Sequence, residues 1–124
     1  MIPGKGPRHP TVRKSFHYAR QGLRSAFASE RNIKIISAIG ILAILAGLLI
    51  GLDLIEWAIV LLCCGAVVTA ELLNTAIESV VDLVSPEFHP LAGRAKDISA
   101  SAVWIISFTS AIVGLCVYIH ALLG

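Results

Sequence analysis

Glu71, Asn74, Glu78 and Asp82 recur at intervals of three and four residues within AELLNTAIESVVDLV, residues 70–84. A helix advances about 100° per residue. With Glu71 at the origin, Asn74 falls at about −60°, Glu78 at about −20°, Asp82 at about +20° and Thr75 at about +40°. One narrow face therefore carries every polar side chain of this stretch except Ser79. A carboxylate can take the proton of a reacting hydroxyl. Carboxylate oxygens are also the ligands Mg²⁺ prefers, commonly one or two of them beside phosphate oxygens and water. Aligned acids repel one another, and an Asp at the centre of a membrane span costs about 2.5–3.5 kcal/mol. Such a face belongs against a protein interior or a wet cleft. Asn74 and Thr75 alone fit interhelical hydrogen bonding, but three acids need positive charge. Arg94 and Lys96 are the basic residues nearest in the following sequence, and a divalent cation is the natural alternative. Glu30, in ASERNIK, is a fourth candidate carboxylate.

The segment after the acids, SPEFHPLAGRAKD, residues 85–97, adds complementary groups. Pro86 and Pro90 stop the helix and stiffen the turn. Phe88 and His89 offer flat faces on which a base can stack, Arg94 and Lys96 offer charge for phosphate, and Asp97 is expected to open the next helix. Together these make an inventory for a nucleotide and phosphoryl transfer. No GxxxxGK[ST] loop and no HRD or DFG set is present. Composition and spacing thus lead to a metal-dependent site at one membrane edge.

The elements that must position these groups are membrane helices. The chain has 124 residues, 56% hydrophobic and only 15% charged, too apolar for an ordinary soluble domain of this size. Residues 35–52, 57–70 and 98–124 contain no Asp, Glu, Lys or Arg. With their flanks they predict spans over 33–52, 55–84 and 97–121. The alternating strands of a β-barrel are absent. The middle span is longer than a bilayer needs, so its acidic end lies near or beyond one membrane face. Eight Lys and Arg residues lie before or within the first turn of the first span, Arg94 and Lys96 follow the second, and the turn near Asp53 and Glu56 has none. This asymmetry predicts a cytoplasmic N-terminus, a cytoplasmic loop after the acids and an external C-terminus. No cleavable signal peptide is expected. Cys63, Cys64 and Cys116 lack ligand spacing and read as packing residues.

Before the first span, residues 1–10 form a Pro- and Gly-rich basic tail, expected to be disordered. Residues 11–28 predict an amphipathic surface helix, with Thr11 as N-cap. Val12, Phe16, Ala19, Leu23, Ala26 and Phe27 share one face, and Arg13, His17, Arg20 and Arg24 the neighbouring one. A helix of this kind lies in the interface against anionic headgroups. Glu30 follows where the surface helix must turn into the membrane, and an acid there gains nothing from an anionic surface. Residues 11–124 thus read as one membrane domain.

The stretch ELLNTAIESVVDLVSPEFHPLAGRAKD closely resembles the signature of the small prokaryotic diacylglycerol kinase family, and QGLRSAFASERNIK resembles the same family's N-terminal segment. The likeness runs from about Val12 to the end, and its core, E-x-x-N-[ST]-A-I-E-x-x-V-D followed by A-K-D, is highly specific. The resemblance implies a Mg²⁺- and ATP-dependent lipid kinase of the bacterial cell membrane. It would be a homotrimer of three-span subunits with shared sites on the cytoplasmic face, and without a nucleic-acid partner. It implies Glu71 as general base and Asn74 as an active-site amide, with Glu30 and Glu78 as metal ligands. Tyr18, Glu30, Glu78, Asp82, Glu87, Phe88, His89, Lys96 and Asp97 would bind ATP and its metal, and Glu71 and Arg24 the lipid. The family's Gram-negative form has Tyr at the position of Phe88 and a basic residue just after Pro10, work that Arg13 would do out of register. ERNIK and SPEFHPLA look more like the Gram-positive branch, whose members often favour undecaprenol; diacylglycerol is the alternative acceptor. A non-enzymatic ion-translocating subunit fits less well, because a translocator needs its acid near mid-membrane. A surface adaptor built on the basic helix leaves the acidic face unexplained.

Overall fold

The structure, a computed structural model, describes residues 11–124. The tail over residues 1–10 lies outside the described residues. Four helices follow in order: α1 (Val12–Ser29), α2 (Arg31–Ile50), α3 (Leu54–Val84) and α4 (Pro90–Leu123). Among the described residues there is no strand. The chain is an all-α protein with an N-terminal helix and three helices long and apolar enough to cross a membrane.

Each boundary has a local cause. The Thr11 hydroxyl accepts from the Lys14 backbone N–H at 3.3 Å and so caps α1. Glu30 then breaks the helix with a single extended residue, φ −116° and ψ 119°. Its backbone N–H closes α1 on the Ala26 carbonyl, and α2 begins at the next residue. The chain therefore turns from α1 into α2 at Glu30. At the far end of α2, Gly51 takes the left-handed conformation at φ 83°, where a side chain would be strained. Asp53 caps α3 through a reciprocal pair: Glu56 N–H to Asp53 Oδ1 at 2.8 Å and Asp53 N–H to Glu56 Oε1 at 3.0 Å.

The last span corrects one sequence expectation. Asp97 is the expected opening of this helix; the helix starts seven residues earlier, at Pro90. Pro86 does end α3, but Pro90 opens α4, because the first helical position needs no N–H and favours the fixed φ of proline. His89 Nδ1 accepts from the Leu91 N–H at 3.1 Å and caps the new helix. Arg94 and Lys96 consequently sit on a helix, with fixed register against α3, and not on a loop.

Helices α3 and α4 pair most extensively, as an antiparallel hairpin, and α2 packs on α3. Leu52, Val60 and Val117 form a buried cluster with Trp57 and Tyr118 against it. The Tyr118 hydroxyl donates to the Ala43 carbonyl and ties α4 to α2. Gly47 lets the α2–α3 corner close: a Cβ there would stand 2.8 Å from Leu52 Cδ1 and 2.9 Å from the Trp57 ring. At the same end His120 Nδ1 lies 3.4 Å from Glu56 Oε2. Most large apolar side chains on all three spans face outward, as expected of surfaces that meet hydrocarbon or another protein chain.

Candidate active site

The lengths of the helices bring the acids together. Helix α2 has 20 residues, about 30 Å. Measured back from the turn at Gly51–Asp53, the antiparallel α3 reaches the level of Glu30 at about residues 73–74, one turn from Glu71. The remaining turns of α3, with the first turns of α4, extend past the α1–α2 junction. The site is built at this end, where the junction, the second half of α3 and the start of α4 meet.

Glu71 is the most deeply buried charged residue described, 3% exposed. Ala26 of α1 and Ile33 of α2 are buried at the same end. Glu30 and Glu78 both stand within electrostatic reach of Glu71. Glu30 comes from the α1–α2 hinge, and Glu78 stands seven residues after Glu71 on the same face of α3. The described salt bridges, Lys96–Asp82 and His120–Glu56, do not involve these three groups. Among the described residues no three His, Cys, Asp or Glu side chains form a closed metal cage. One or two carboxylates suffice for a hard cation that takes its other ligands from phosphate and water.

Asn74, 9% exposed, stands between the acids and α4. Its Nδ2 donates to Glu78 Oε1 at 3.4 Å, and its Oδ1 accepts from the Ser99 hydroxyl at 2.7 Å. Two residues of α3 and one of α4 are therefore joined in a line across the hairpin. Toward the loop, Lys96 Nζ meets Asp82 Oδ1 at 2.5 Å. The cation that sequence spacing offered to the acids is thus engaged with the outermost of them. Thr75 keeps its hydroxyl oxygen buried without a hydrogen-bond partner among the described residues.

The other expected site residues are arranged more loosely. Phe88, 92% exposed, and Glu87 project from the α3–α4 connection. His89 spends Nδ1 on the cap, which leaves Nε2 as the ring nitrogen free to face a ligand. Asp97 and Arg24 are exposed on α4 and α1, and Tyr18 is half-buried on α1 beside His17. Among the described residues no hydrogen bond or ion pair links these groups to the carboxylate cluster. Ser99 was not singled out from sequence. Its only signal is its place three residues after Lys96, which puts both on the α4 face turned to α3.

Comparison with known proteins agrees with this architecture. Residues 17–118 match the family described as prokaryotic diacylglycerol kinase. The chain is 40% identical over 109 residues to the undecaprenol kinase of Bacillus subtilis, covering 88% of this chain and 89% of that one. It is 43% identical over 116 residues to a diacylglycerol kinase of Synechocystis, covering 93% of this chain and 66% of the relative. It is 32% identical over 111 residues to the diacylglycerol kinase of Escherichia coli, covering 90% of each.

Proposed function

The chain belongs to the prokaryotic diacylglycerol kinase family and is a multi-pass membrane lipid kinase, and on that premise we propose that it moves the γ-phosphate of ATP to the hydroxyl of undecaprenol at the cytoplasmic edge of the bilayer. The observation that carries the site is the burial of Glu71 within electrostatic reach of Glu30, at the α1–α2 junction, and of Glu78. The undecaprenol reading is supported by likeness to the Bacillus subtilis undecaprenol kinase along nearly the whole of both chains. Diacylglycerol is the alternative acceptor, in keeping with the names of the other relatives.

In this reading Glu71 takes the proton of the lipid hydroxyl, which approaches from the membrane side. Glu30 and Glu78 would hold Mg²⁺, whose positive charge would offset that of the phosphates. Asn74 steers Glu78 and sits one turn from the base. Lys96, now on Asp82, is the cation at hand for the γ-phosphate. Tyr18, Glu87, Phe88, His89 and Asp97 receive the nucleotide from the water side, and Arg24 the lipid. Positioning and electrostatics then supply most of the rate, as is usual in phosphoryl transfer. We further propose a homotrimer with sites completed between subunits, residues 11–124 being one kinase domain.

A substrate panel tests the reading. Purified protein in detergent, given labelled ATP and Mg²⁺, should phosphorylate undecaprenol faster than diacylglycerol and consume almost no ATP without a lipid alcohol. Preference for diacylglycerol would replace the acceptor and keep the site. ATP consumption indifferent to any alcohol would overturn the kinase site.

A further inference from the structure

Ser99 reaches the acids through Asn74. The Asn74 amide has one acceptor and two donor hydrogens, and its two ends must face different partners. Ionised Glu78 only accepts, so the NH₂ end belongs toward Glu78, as observed at 3.4 Å. The carbonyl end then needs a donor. Ser99 supplies it, across the helix pair, at 2.7 Å. Both Asn74 and Ser99 are nearly closed to solvent, at 9% and 8% exposure, so water is a poor substitute. Without that hydroxyl a buried acceptor would be left unsatisfied. The amide could relieve this by turning over, which would aim its carbonyl at Glu78 and repel the carboxylate it now holds.

We propose that Ser99 is a positioning residue of the kinase site: its hydroxyl fixes the orientation of the Asn74 amide, which in turn sets the Glu78 carboxylate for a divalent cation. The inference rests on the assignment of Glu78 as a metal ligand made above. It also gives α4 a part in the site other than phosphate charge: α4 sets the aim of a ligand that stands on α3. Partners of this outer kind commonly alter metal affinity or activity by about 10–100-fold.

The test uses the full-length protein in detergent, with Mn²⁺ as a paramagnetic probe read by electron paramagnetic resonance in the presence of a non-hydrolysable ATP analogue. Ser99→Ala should weaken Mn²⁺ binding about tenfold and raise the Mg²⁺ needed for half-maximal turnover in parallel, while KM for the lipid alcohol stays unchanged. Ser99→Thr keeps the hydroxyl and should restore most of the Mn²⁺ affinity. In an Asn74→Ala background, Ser99→Ala should add nothing further. Side-chain ¹⁵N spectra of metal-free protein give an independent reading, with the Asn74 NH₂ pair shifting in Ser99→Ala and remaining near its place in Ser99→Thr. Active wild type with unchanged Mn²⁺ affinity in Ser99→Ala overturns the inference alone, as does an equal effect of Ser99→Ala with and without Asn74. Wild type that transfers no phosphate to any lipid alcohol overturns the kinase reading and this inference with it.

Discussion

Glu71 can be separated from its neighbours by a change that preserves its shape. Glu71→Gln keeps the size and reach of the side chain but cannot accept the hydroxyl proton. Loss of a general base costs about 10²–10⁴-fold in rate, so kcat should collapse while ATP binding, read by calorimetry, stays near wild type. Added Mg²⁺ should not rescue it; rescue would make Glu71 a metal ligand. Asn74→Ala should do milder harm, because it loosens Glu78 without removing the base. The carboxylates were legible in sequence because three charges in apolar surroundings fall on one helical face. Ser99 was not. A single Ser in an apolar helix usually hydrogen-bonds within its own helix or to a neighbour without consequence. Its importance depends on the register between α3 and α4, which periodicity within one helix does not contain. The Lys96–Asp82 pair lay between these cases, since both charges were visible and only their pairing was not.

Among the elements, the α1–α2 hinge and the α2–α3 corner have opposite duties. The hinge delivers Glu30 to the site from a one-residue break, so its side chain can be changed with little disturbance to either helix. If Glu30 and Glu78 hold the cation as proposed, Glu30→Gln and Glu78→Gln should each raise the Mg²⁺ required for half-maximal activity, since each would remove an anionic oxygen ligand. A metal response equal to wild type in both would remove them from the cation site. The corner instead holds the hairpin closed. Gly47→Leu would drive a side chain into Leu52 and Trp57, and overpacking of this sort costs about 1–3 kcal/mol. The variant should therefore unfold at lower temperature, read by circular dichroism in detergent, while its Mg²⁺ requirement stays unchanged because the corner is at the far end of α2. The spans, the surface helix and its Thr11 cap were legible from hydropathy and turn chemistry. The early start of α4 is masked in sequence by the charges of Arg94 and Lys96, which resemble a loop, although Pro90 and the His89 cap have what a helix start requires.

For the molecule as a whole, the proposed orientation and assembly are separable questions. Glu87→Cys and Leu54→Cys, in a background lacking Cys63, Cys64 and Cys116, should be labelled from opposite sides of the membrane, the first from the cytoplasm and the second from outside; labelling of both from one side would reject the proposed topology. Assembly is a matter of unfinished burial. Leu52, Val60 and Val117 make a thin core between the helices, and α2, α3 and α4 also border an apolar groove of about 940 Å³ lined by Ile44, Val67, Gly114 and Tyr118 among others. Lipid chains and further copies of the subunit are the surfaces available to cover such faces, and the proposed homotrimer would use part of them. Yet Glu30 and Glu78 both stand within electrostatic reach of Glu71 in one chain, which favours a site whose acids come from a single subunit. Mixed oligomers distinguish the two sources of Glu30. Glu30→Gln and Glu71→Gln chains are unfolded together, reassembled and assayed at limiting Mg²⁺, where neither chain alone turns over appreciably. If both acids of a site come from one chain, every site in every mixture keeps a defect and the mixture stays inactive. If Glu30 came from the next subunit around a closed ring, random mixing would restore roughly a quarter of the sites. The convergence within one chain predicts the inactive mixture, with recovery near that fraction as the result that would move Glu30 to the neighbour.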